Sequence, residues 1–433
     1  MVLLTLNCRS ESITYVLLDW KRRLQLASGA IEGVGAPQAV VTLELGGGRG
    51  CERTAECFDH RSAIELLLEL LTDPDIGPLS AIDQIAAIGH RVVHGGEYFA
   101  RSVAVDDSVL DKIRAVEHLA PYYIGPNLAG IEAARTLLPG TLQVAVFDTA
   151  FHQSMPRHAY LYPVPWTWYE KHGVRRYGFH GPSHLYLAKR AAALLGKPPA
   201  TCNLITVHVD LGISLCAIRN GLSIDTSMGM TPIAGALMER RCGDIDPGIP
   251  AFLMDRERLS PAGMEAMLNE RSGLLGITGN CSSRREVLER AAAGEERCVL
   301  AAEMEGYRLK KYIGSYCAAI GRPDAILFTS GNGAIEADAR ARALDQMECF
   351  GIRLDPVRNR APETGTEECL ISADDSNVKV FVLPTHEELA FAADVAGILE
   401  GDFADHLDYD YPFAKPGFPS YPAAWRQNEK AGL

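Results

Sequence analysis

The sequence predicts an α/β protein of two domains, and three observations carry this prediction. At 433 residues the chain is too long for one compact core. Short apolar strand patterns alternate with amphipathic helix patterns along most of its length. Residues 3–19 and residues 204–218 share one plan of strand, polar turn and strand. The repeat indicates a duplicated domain with a cleft between the copies, whereas a chance match would mean two unrelated hairpins.

The segments between and after these hairpins supply the remaining elements in order. Apolar residues at helical spacing predict helices, and short continuous apolar runs predict buried strands. The predicted elements are a helix at 63–71, strands at 85–93 and 142–147, helices at 187–195 and 298–320, and a strand at 325–328.

The last predicted strand runs into the small residues Thr329 to Gly333, just before a helix pattern. Such a turn offers backbone N–H groups and a helix N-terminus to an anion. From Gly401 onwards, residues rich in Pro, Asp and Tyr show no helical or strand period, which predicts an extended C-terminal tail.

Composition and charge exclude several classes of function. A net charge of −13 argues against a broad nucleic-acid-binding surface, because little would neutralise the phosphates. No segment approaches the roughly 20 apolar residues of a membrane span, and the N-terminus lacks the basic region of a signal peptide. The eleven cysteines have neither a CxxC pair nor a zinc-site spacing, which favours reduced thiols in the cytoplasm.

The segment from Val144 to His184 carries the strongest chemical signal. An apolar strand delivers Asp148 at its end, and two arginines and two histidines follow about thirty residues later, among them His180. A carboxylate beside cations suits transfer of a highly charged group. The alternative is that Asp148 caps a helix and that the histidines are ordinary surface groups.

Two further segments add arginines in glycine-rich surroundings. Arg91 ends a strand in GHRVVHGG, and Arg241 lies within the loop 225–248. Arginine binds carboxylates and phosphates through two parallel hydrogen bonds. Together with Asp148 and His180, these residues suit a carboxylate acceptor that meets a phosphoryl donor.

The motifs GHRVVHGGE, VAVFDTAFHQ, RRYGFHGPSH, DTSMGMTP and GDIDPG resemble the acetate kinase family, over about residues 3–398. This resemblance implies a duplicated actin-like (ribonuclease H-like) fold with a central interdomain cleft. It implies an N-terminal domain over 1–150, completed by about 385–400, a C-terminal nucleotide-binding domain over 151–384, and the tail 401–433. The implied activity is phosphoryl transfer from ATP to a short-chain carboxylate, acetate above all, to give an acyl phosphate.

The resemblance also implies a cytoplasmic homodimer that uses ATP with Mg²⁺ (or Mn²⁺), without nucleic-acid or membrane partners, in acetyl phosphate and acetyl-CoA metabolism. The positions that it places in the site are Arg91, Asp148, His180 and Arg241 in catalysis, Arg91, Val93, Tyr122 and Pro232 around the carboxylate, His208, Asp210, Leu211, Gly212, Ser283, Arg285, Gly331, Asn332 and Gly333 around the nucleotide, and Asn7 and Glu387 around the metal.

The chain departs from the family pattern mainly on the nucleotide side. The family's His-Leu-Gly-Asn-Gly has Asp210 and Leu211 in place of its first glycine and asparagine, and Ser283 replaces the aspartate of Asp-x-Arg. An aspartate near phosphate adds bulk and repulsion. Three interpretations remain open: an ATP-dependent acyl kinase, an acyl kinase with another donor such as pyrophosphate, and a binding or regulatory module without kinase activity.

Overall fold

The structure is a computed structural model that describes residues 1–46, 49–329, 335–361, 367–384 and 386–418. The chain divides into two compact units, Met1–Gln153 with His386–Leu433 and Ser154–Thr385. Among the described residues, no helix combines the length and the apolar character that crossing a membrane requires.

The elements are numbered in chain order. Those before residue 154 are β1 Val2–Cys8, β2 Ser12–Asp19, β3 Leu24–Glu32, β4 Ala39–Leu45, β5 Arg49–Ala55, α1 His60–Leu71, β6 Ile85–Val92, β7 Val103–Ala104, α2 Asp107–Ala115, α3 Pro121–Leu137 and β8 Leu142–Phe147. Those that follow are α4 Arg157–Tyr160, α5 Trp166–His172, α6 Gly181–Leu195, β9 Leu204–Val209, β10 Ile213–Arg219, β11 Leu222–Thr226, α7 Gly248–Glu257, α8 Pro261–Glu270, α9 Gly273–Thr278, α10 Arg284–Ala292, α11 Glu296–Ile320, β12 Ala325–Thr329, α12 Ile335–Leu344, α13 Pro356–Asn359, β13 Cys369–Leu370, β14 Lys379–Leu383 and α14 Glu387–Glu400.

Each unit is built on one mixed sheet, and the two sheets share a plan. Within the described residues, the first sheet has the order β5-β4-β3-β2-β1-β6-β8-β7 and the second has the order β11-β10-β9-β12-β14-β13. In each sheet a third antiparallel strand (β3 beside β2, β11 beside β10) flanks an antiparallel hairpin (β1 with β2, β9 with β10). On the other side of the hairpin lie two parallel strands, and a short antiparallel strand closes the edge. Six strands therefore correspond in order and direction. The predicted α/β class and duplication are confirmed.

The predicted elements lie where their apolar patterns place them. The two hairpins correspond to β1–β2 and β9–β10, and the predicted strand at 142–147 is β8. Central strands are buried on both faces, as the run of buried residues along β8 shows, which explains their continuous apolar sequences. Helix α1 begins three residues earlier than predicted because Asp59 caps it: the Asp59 side chain accepts from the Ser62 backbone N–H at 2.8 Å.

Helix α14 completes the first unit from the far end of the chain. Its residues Leu389 to Gly397 are all buried, as expected of a helix that is apolar on nearly every side. The one charged residue of this stretch, Asp394, accepts from the hydroxyls of Ser102 and Tyr411. A Cβ at Gly89 of β6 would lie 2.6 Å from Val395 Cγ2, so glycine there permits the close approach of helix and strand. The tail from Gly401 packs as far as it is described, because Tyr411 and Phe413 are buried.

Candidate active site

In the first unit, three predicted site residues lie at the carboxyl ends of three neighbouring parallel strands. The pairing of β1 with β6 ends at Leu6 and His90, so Asn7 and Arg91 are the next residues on their strands. Strand β8 ends at Phe147, opposite Val92, and Asp148 comes next. The carboxyl edge of a parallel sheet is where α/β proteins bind ligands.

Arg91 is held by two carboxylates. Its Nε donates to Asp148 Oδ1 at 3.0 Å, its Nη2 donates to Asp148 Oδ2 at 2.8 Å, and its Nη1 donates to Glu387 Oε1 at 3.2 Å. Burial alone would lower the pKa of Arg91, but the two carboxylates raise it above its ordinary value, so the guanidinium stays charged. Burial raises the pKa of Asp148, and the charge of Arg91 opposes that rise.

Glu387, the first residue of α14, has one carboxylate oxygen that does not bond to Arg91. Its Oε2 is buried and has no hydrogen-bond partner among the described residues. No group of three or more His, Cys, Asp or Glu side chains within those residues could hold a metal ion alone. Mg²⁺ in nucleotide enzymes normally takes one or two carboxylates, with substrate phosphates and water as the other ligands. Glu387 Oε2, together with the amide oxygen of Asn7 near the end of β1, fits such a partial ligand set.

Asn127 on α3 is a residue that the sequence reasoning missed. Its Oδ1 accepts from the Val93 backbone N–H at 3.0 Å, and its Nδ2 donates to the Cys8 carbonyl at 2.8 Å. The buried amide therefore ties the end of β6 to the end of β1. A polar side chain within a largely apolar helix was the available signal. Tyr122, in the first turn of α3, leaves about half of its surface exposed.

In the second unit, His180 stands in a left-handed backbone conformation just before α6, with φ of 59°. This conformation is rare for residues other than glycine and is found at functional sites. The imidazole is fixed on two sides, since its Nδ1 lies 2.8 Å from Ser214 Oγ and its ring centroid lies 4.1 Å from that of His208.

His180 and Arg241 meet at Gly212. A Cβ built on Gly212 would lie 3.1 Å from Arg241 Nη1 and 3.3 Å from His180 Cε1, so only glycine leaves this space open. Arg241 has a hydrogen bond to the Pro232 carbonyl at 3.4 Å but, across the part of the chain that the structure describes, no carboxylate within salt-bridge distance. Arg91 is paired twice, whereas Arg241 has no carboxylate partner among the described residues.

The tip between β9 and β10 carries the altered loop. Asp210 and Leu211 are exposed, and the Asp210 backbone N–H donates to the Gly212 carbonyl at 3.1 Å. Burial raises the pKa of Glu239, and the nearby Asp210 adds to that rise. The tip therefore brings a second acidic side chain close to Glu239.

The other predicted nucleotide positions have separate surroundings. Ser283 is the exposed residue that precedes α10, and Arg285 is exposed and pairs with Glu289 at 2.9 Å. Between them, Arg284 is buried, donates to Glu305 at 2.8 Å and pairs with Glu336. The predicted turn residues Gly331, Asn332 and Gly333 lie outside the described residues.

Two arginines of the segment 144–184 are engaged within the second unit. Arg175 lies over the Tyr160 ring, 3.6 Å from its centroid. Arg176 Nη1 donates to the carbonyls of Thr226, Ser227 and Met228 at 2.8–3.0 Å. These contacts hold the loop after β11 against the segment before His180, which corrects the idea that both arginines face transferred charge. The segment itself divides between units, with Asp148 in the first and His180 in the second.

Comparison with known proteins agrees with this architecture. The family described as the "Acetokinase family" matches residues 2–393. The acetate kinase of Geobacter metallireducens is 53% identical over 418 residues, which cover 96% of this chain and 99% of that protein. The acetate kinase of Geobacter sulfurreducens is 52% identical over the same length and coverage.

Solved structures agree as well. The crystal structure of Porphyromonas gingivalis acetate kinase aligns with a TM-score of 0.87 and 41% identity, and the alignment covers 92% of this chain and 99% of that one. A propionate kinase from Francisella tularensis aligns with a TM-score of 0.84 and 35% identity at the same coverage. Of the three interpretations, these relatives support the ATP-dependent enzyme. The chain belongs to the acetokinase family, whose members are ATP-dependent phosphotransferases with a carboxyl group as acceptor.

Proposed function

We propose that this chain transfers the γ-phosphoryl group of ATP reversibly to acetate, giving acetyl phosphate and ADP. The observation that carries the proposal is the convergence of Arg241 Nη1 and the His180 ring on the open space at Gly212. A cation that has no carboxylate partner in the described parts of the chain, beside an imidazole, suits the equatorial oxygens of a phosphoryl group in transfer. Relatives named acetate kinase, at 52–53% identity, support acetate as the acceptor.

In the proposed reaction, one carboxylate oxygen of acetate forms a bond to the γ-phosphorus while the bond from that phosphorus to the bridging oxygen of ADP breaks. Catalysis of such a displacement rests on positioning and on stabilisation of charge. His180 and Arg241 act on the oxygens of the transferred phosphoryl group. Pro232, whose carbonyl accepts a hydrogen bond from Arg241, borders the acceptor.

Arg91, Asp148 and Val93 are proposed to contact the carboxylate acceptor. Asp148 holds the guanidinium of Arg91 through two parallel hydrogen bonds, so the remaining N–H groups of Arg91 keep a fixed direction. Val93 is held in place by the bond from its N–H to Asn127. Asp148 therefore acts on the acceptor partly through the orientation of Arg91.

A divalent cation, Mg²⁺ above all, is proposed to be held by Glu387 and Asn7 together with nucleotide phosphates. The unpartnered Glu387 Oε2 supports this assignment. When bound, such an ion neutralises charge on the phosphates. Glu387 has a second role, because its Oε1 accepts from Arg91 and so links the cation site to the acceptor arginine.

The proposal extends to a cytoplasmic homodimer that serves acetyl phosphate and acetyl-CoA metabolism. All eleven cysteines are free thiols, which suits a reducing compartment. Trp166 and Trp168 on α5 each leave about half of their surface exposed, as residues covered by a second subunit do in a monomer. Sedimentation velocity of the purified chain tests the dimer directly.

A trapping assay tests the activity. Purified protein is incubated with acetate, Mg²⁺ and hydroxylamine, with ATP, GTP or pyrophosphate as donor, and acyl hydroxamate is measured. We expect product with ATP, and a loss of about a hundredfold or more in Arg241→Gln, on the scale of a lost oxyanion donor. Folded protein that gives no product with any donor contradicts the proposal, and product with pyrophosphate alone reassigns the donor.

A further inference from the structure

Four buried or half-buried side chains of the second unit form a continuous hydrogen-bonded chain that ends at His180. Thr206 Oγ1 lies 2.7 Å from His184 Nδ1, and His184 Nε2 lies 2.9 Å from Ser214 Oγ. Ser214 Oγ in turn lies 2.8 Å from His180 Nδ1. Thr206, His184 and Ser214 are fully buried, whereas His180 is half-buried.

The direction of this chain follows from its buried end. Among the described residues, the Thr206 hydroxyl makes one hydrogen bond, to His184 Nδ1. A hydroxyl must donate its hydrogen somewhere, and a buried donor without an acceptor is costly. Thr206 therefore donates, and Nδ1 of His184 accepts.

The remaining protons are then determined one after another. A neutral His184 that accepts at Nδ1 carries its proton on Nε2, which donates to Ser214 Oγ. Ser214 then donates its own hydrogen to Nδ1 of His180, so His180 carries its proton on Nε2. A doubly protonated His184 would put a charge in a fully buried site and leave the Thr206 hydroxyl without an acceptor.

We propose that Thr206, His184 and Ser214 are positioning residues that set the tautomer of His180, with Nδ1 accepting and Nε2 carrying the proton. This inference rests on the proposed function, because phosphoryl transfer is the reaction in which an N–H donor on His180 would stabilise charge. The space that a Cβ on Gly212 would fill lies 3.6 Å from His180 Nε2 and 3.1 Å from Arg241 Nη1. A proton on Nε2 therefore places two N–H donors side by side, as phosphoryl oxygens require.

The opposite tautomer would reverse this effect. A proton on Nδ1 would point into the protein towards Ser214, and the lone pair of Nε2 would face the same space as the oxygens. A lone pair repels an anionic oxygen, whereas an N–H group stabilises it. A threonine deep in strand β9 thus determines what His180 presents, although it is separated from His180 by His184 and Ser214.

The tautomer can be read directly from ¹⁵N resonances of histidine labelled in its imidazole ring. The chain contains 12 histidines, so the His180 signals are assigned by their loss in His180→Asn. At a pH where the ring is neutral, we expect His180 to show a hydrogen-bearing Nε2 and an unprotonated Nδ1. A hydrogen-bearing Nδ1 in the wild-type protein overturns the inference, whether or not the protein has kinase activity.

Two matched variants test the role of the chain in the reaction. Thr206→Val removes the hydroxyl at nearly constant volume, and Thr206→Ser keeps the hydroxyl but loses the methyl group. We expect Thr206→Val to mix the two His180 tautomers and to lower kcat about tenfold with little change in KM, and Thr206→Ser to restore both. Equal losses in the two variants, or a wild-type tautomer in Thr206→Val, contradict the inference. Absence of turnover in the wild type would instead refute the proposed function.

Discussion

The guanidinium of Arg91 and the carboxylate of Asp148 face each other in two parallel hydrogen bonds, with Nε–Oδ1 at 3.0 Å and Nη2–Oδ2 at 2.8 Å. Both side chains are largely buried. Arg91, on strand β6, therefore binds Asp148 at the end of β8 and Glu387 at the start of α14.

This geometry predicts a large effect of a conservative substitution. Arg91→Lys keeps the positive charge but cannot form two parallel bonds with Asp148. We expect kcat for acetyl phosphate formation to fall about a hundredfold, on the scale of a misplaced catalytic group. Circular dichroism melting serves as the control for folding. A folded Arg91→Lys protein with wild-type kcat would show that the paired geometry is unnecessary.

The open space at Gly212 predicts the effect of a single methyl group. In Gly212→Ala the new Cβ would lie 3.1 Å from Arg241 Nη1 and 3.3 Å from His180 Cε1, so one of them must shift. We expect kcat/KM for ATP to fall at least about tenfold. Gly314→Ala on α11 is the matched control, because its Cβ would meet no atom within 4 Å. Equal activity of the two variants would argue against a phosphoryl site at Gly212.

The altered tip between β9 and β10 predicts that a double substitution will lower the KM for ATP. Asp210→Gly combined with Leu211→Asn removes an exposed carboxylate near Glu239 and restores the family's glycine and asparagine. If this tip approaches the phosphates, less repulsion should lower the KM for ATP and leave the KM for acetate nearly unchanged. Steady-state kinetics with each substrate varied separately measures both constants. An unchanged KM for ATP would remove this loop from the nucleotide site.

Tyr122 predicts acceptor preference. If its ring narrows the space for the carbon chain of the carboxylate substrate, acetate should give a higher kcat/KM than propionate or butyrate, and Tyr122→Ala should reduce the difference. The hydroxamate assay with the three acids measures the preference. Equal kcat/KM values for all three acids in the wild type would separate Tyr122 from the pocket.

His90 predicts a pH dependence of stability. Burial lowers its pKa from 6.5 to about 4, against a hydrogen bond with Gln143 that raises it. The unfolded chain therefore binds the proton first, so the free energy of unfolding falls as the pH drops from 6.5 towards 4. The loss reaches about 3 kcal/mol at the lower end. Urea unfolding at several pH values should show a flatter dependence in His90→Gln than in the wild type, whereas exposed His172→Gln should match the wild type.

The sequence predicts the local elements well because hairpins and amphipathic helices depend on neighbouring residues. It does not reveal that six strands correspond between the sheets, since the β1–β6 and β9–β12 pairings join segments more than 70 residues apart. Apolar runs show that a strand is buried but not which strand lies beside it.

The candidate site divides in the same way. The sequence identifies the acidic and cationic candidates by their residue types, but it does not show which groups they contact. Arg91 donates to two carboxylates, whereas Arg176 donates to backbone carbonyls. The residue type alone does not distinguish these two kinds of partner. Thr206 was missed because a threonine in a strand also reflects ordinary β-propensity, and Ser214 was missed because nothing in the sequence distinguishes it from other serines. Their importance comes from the side chains that they contact.

The discontinuity of the first unit has a consequence for synthesis on the ribosome. The second unit is a continuous segment, whereas the first needs helix α14 from residues 387–400 to cover its sheet. During translation, the second unit can therefore fold completely while the earlier-made sheet still lacks its covering helix. Glu387 lies on that same helix, so Arg91 can pair with its second carboxylate only after residues 387–400 have been made.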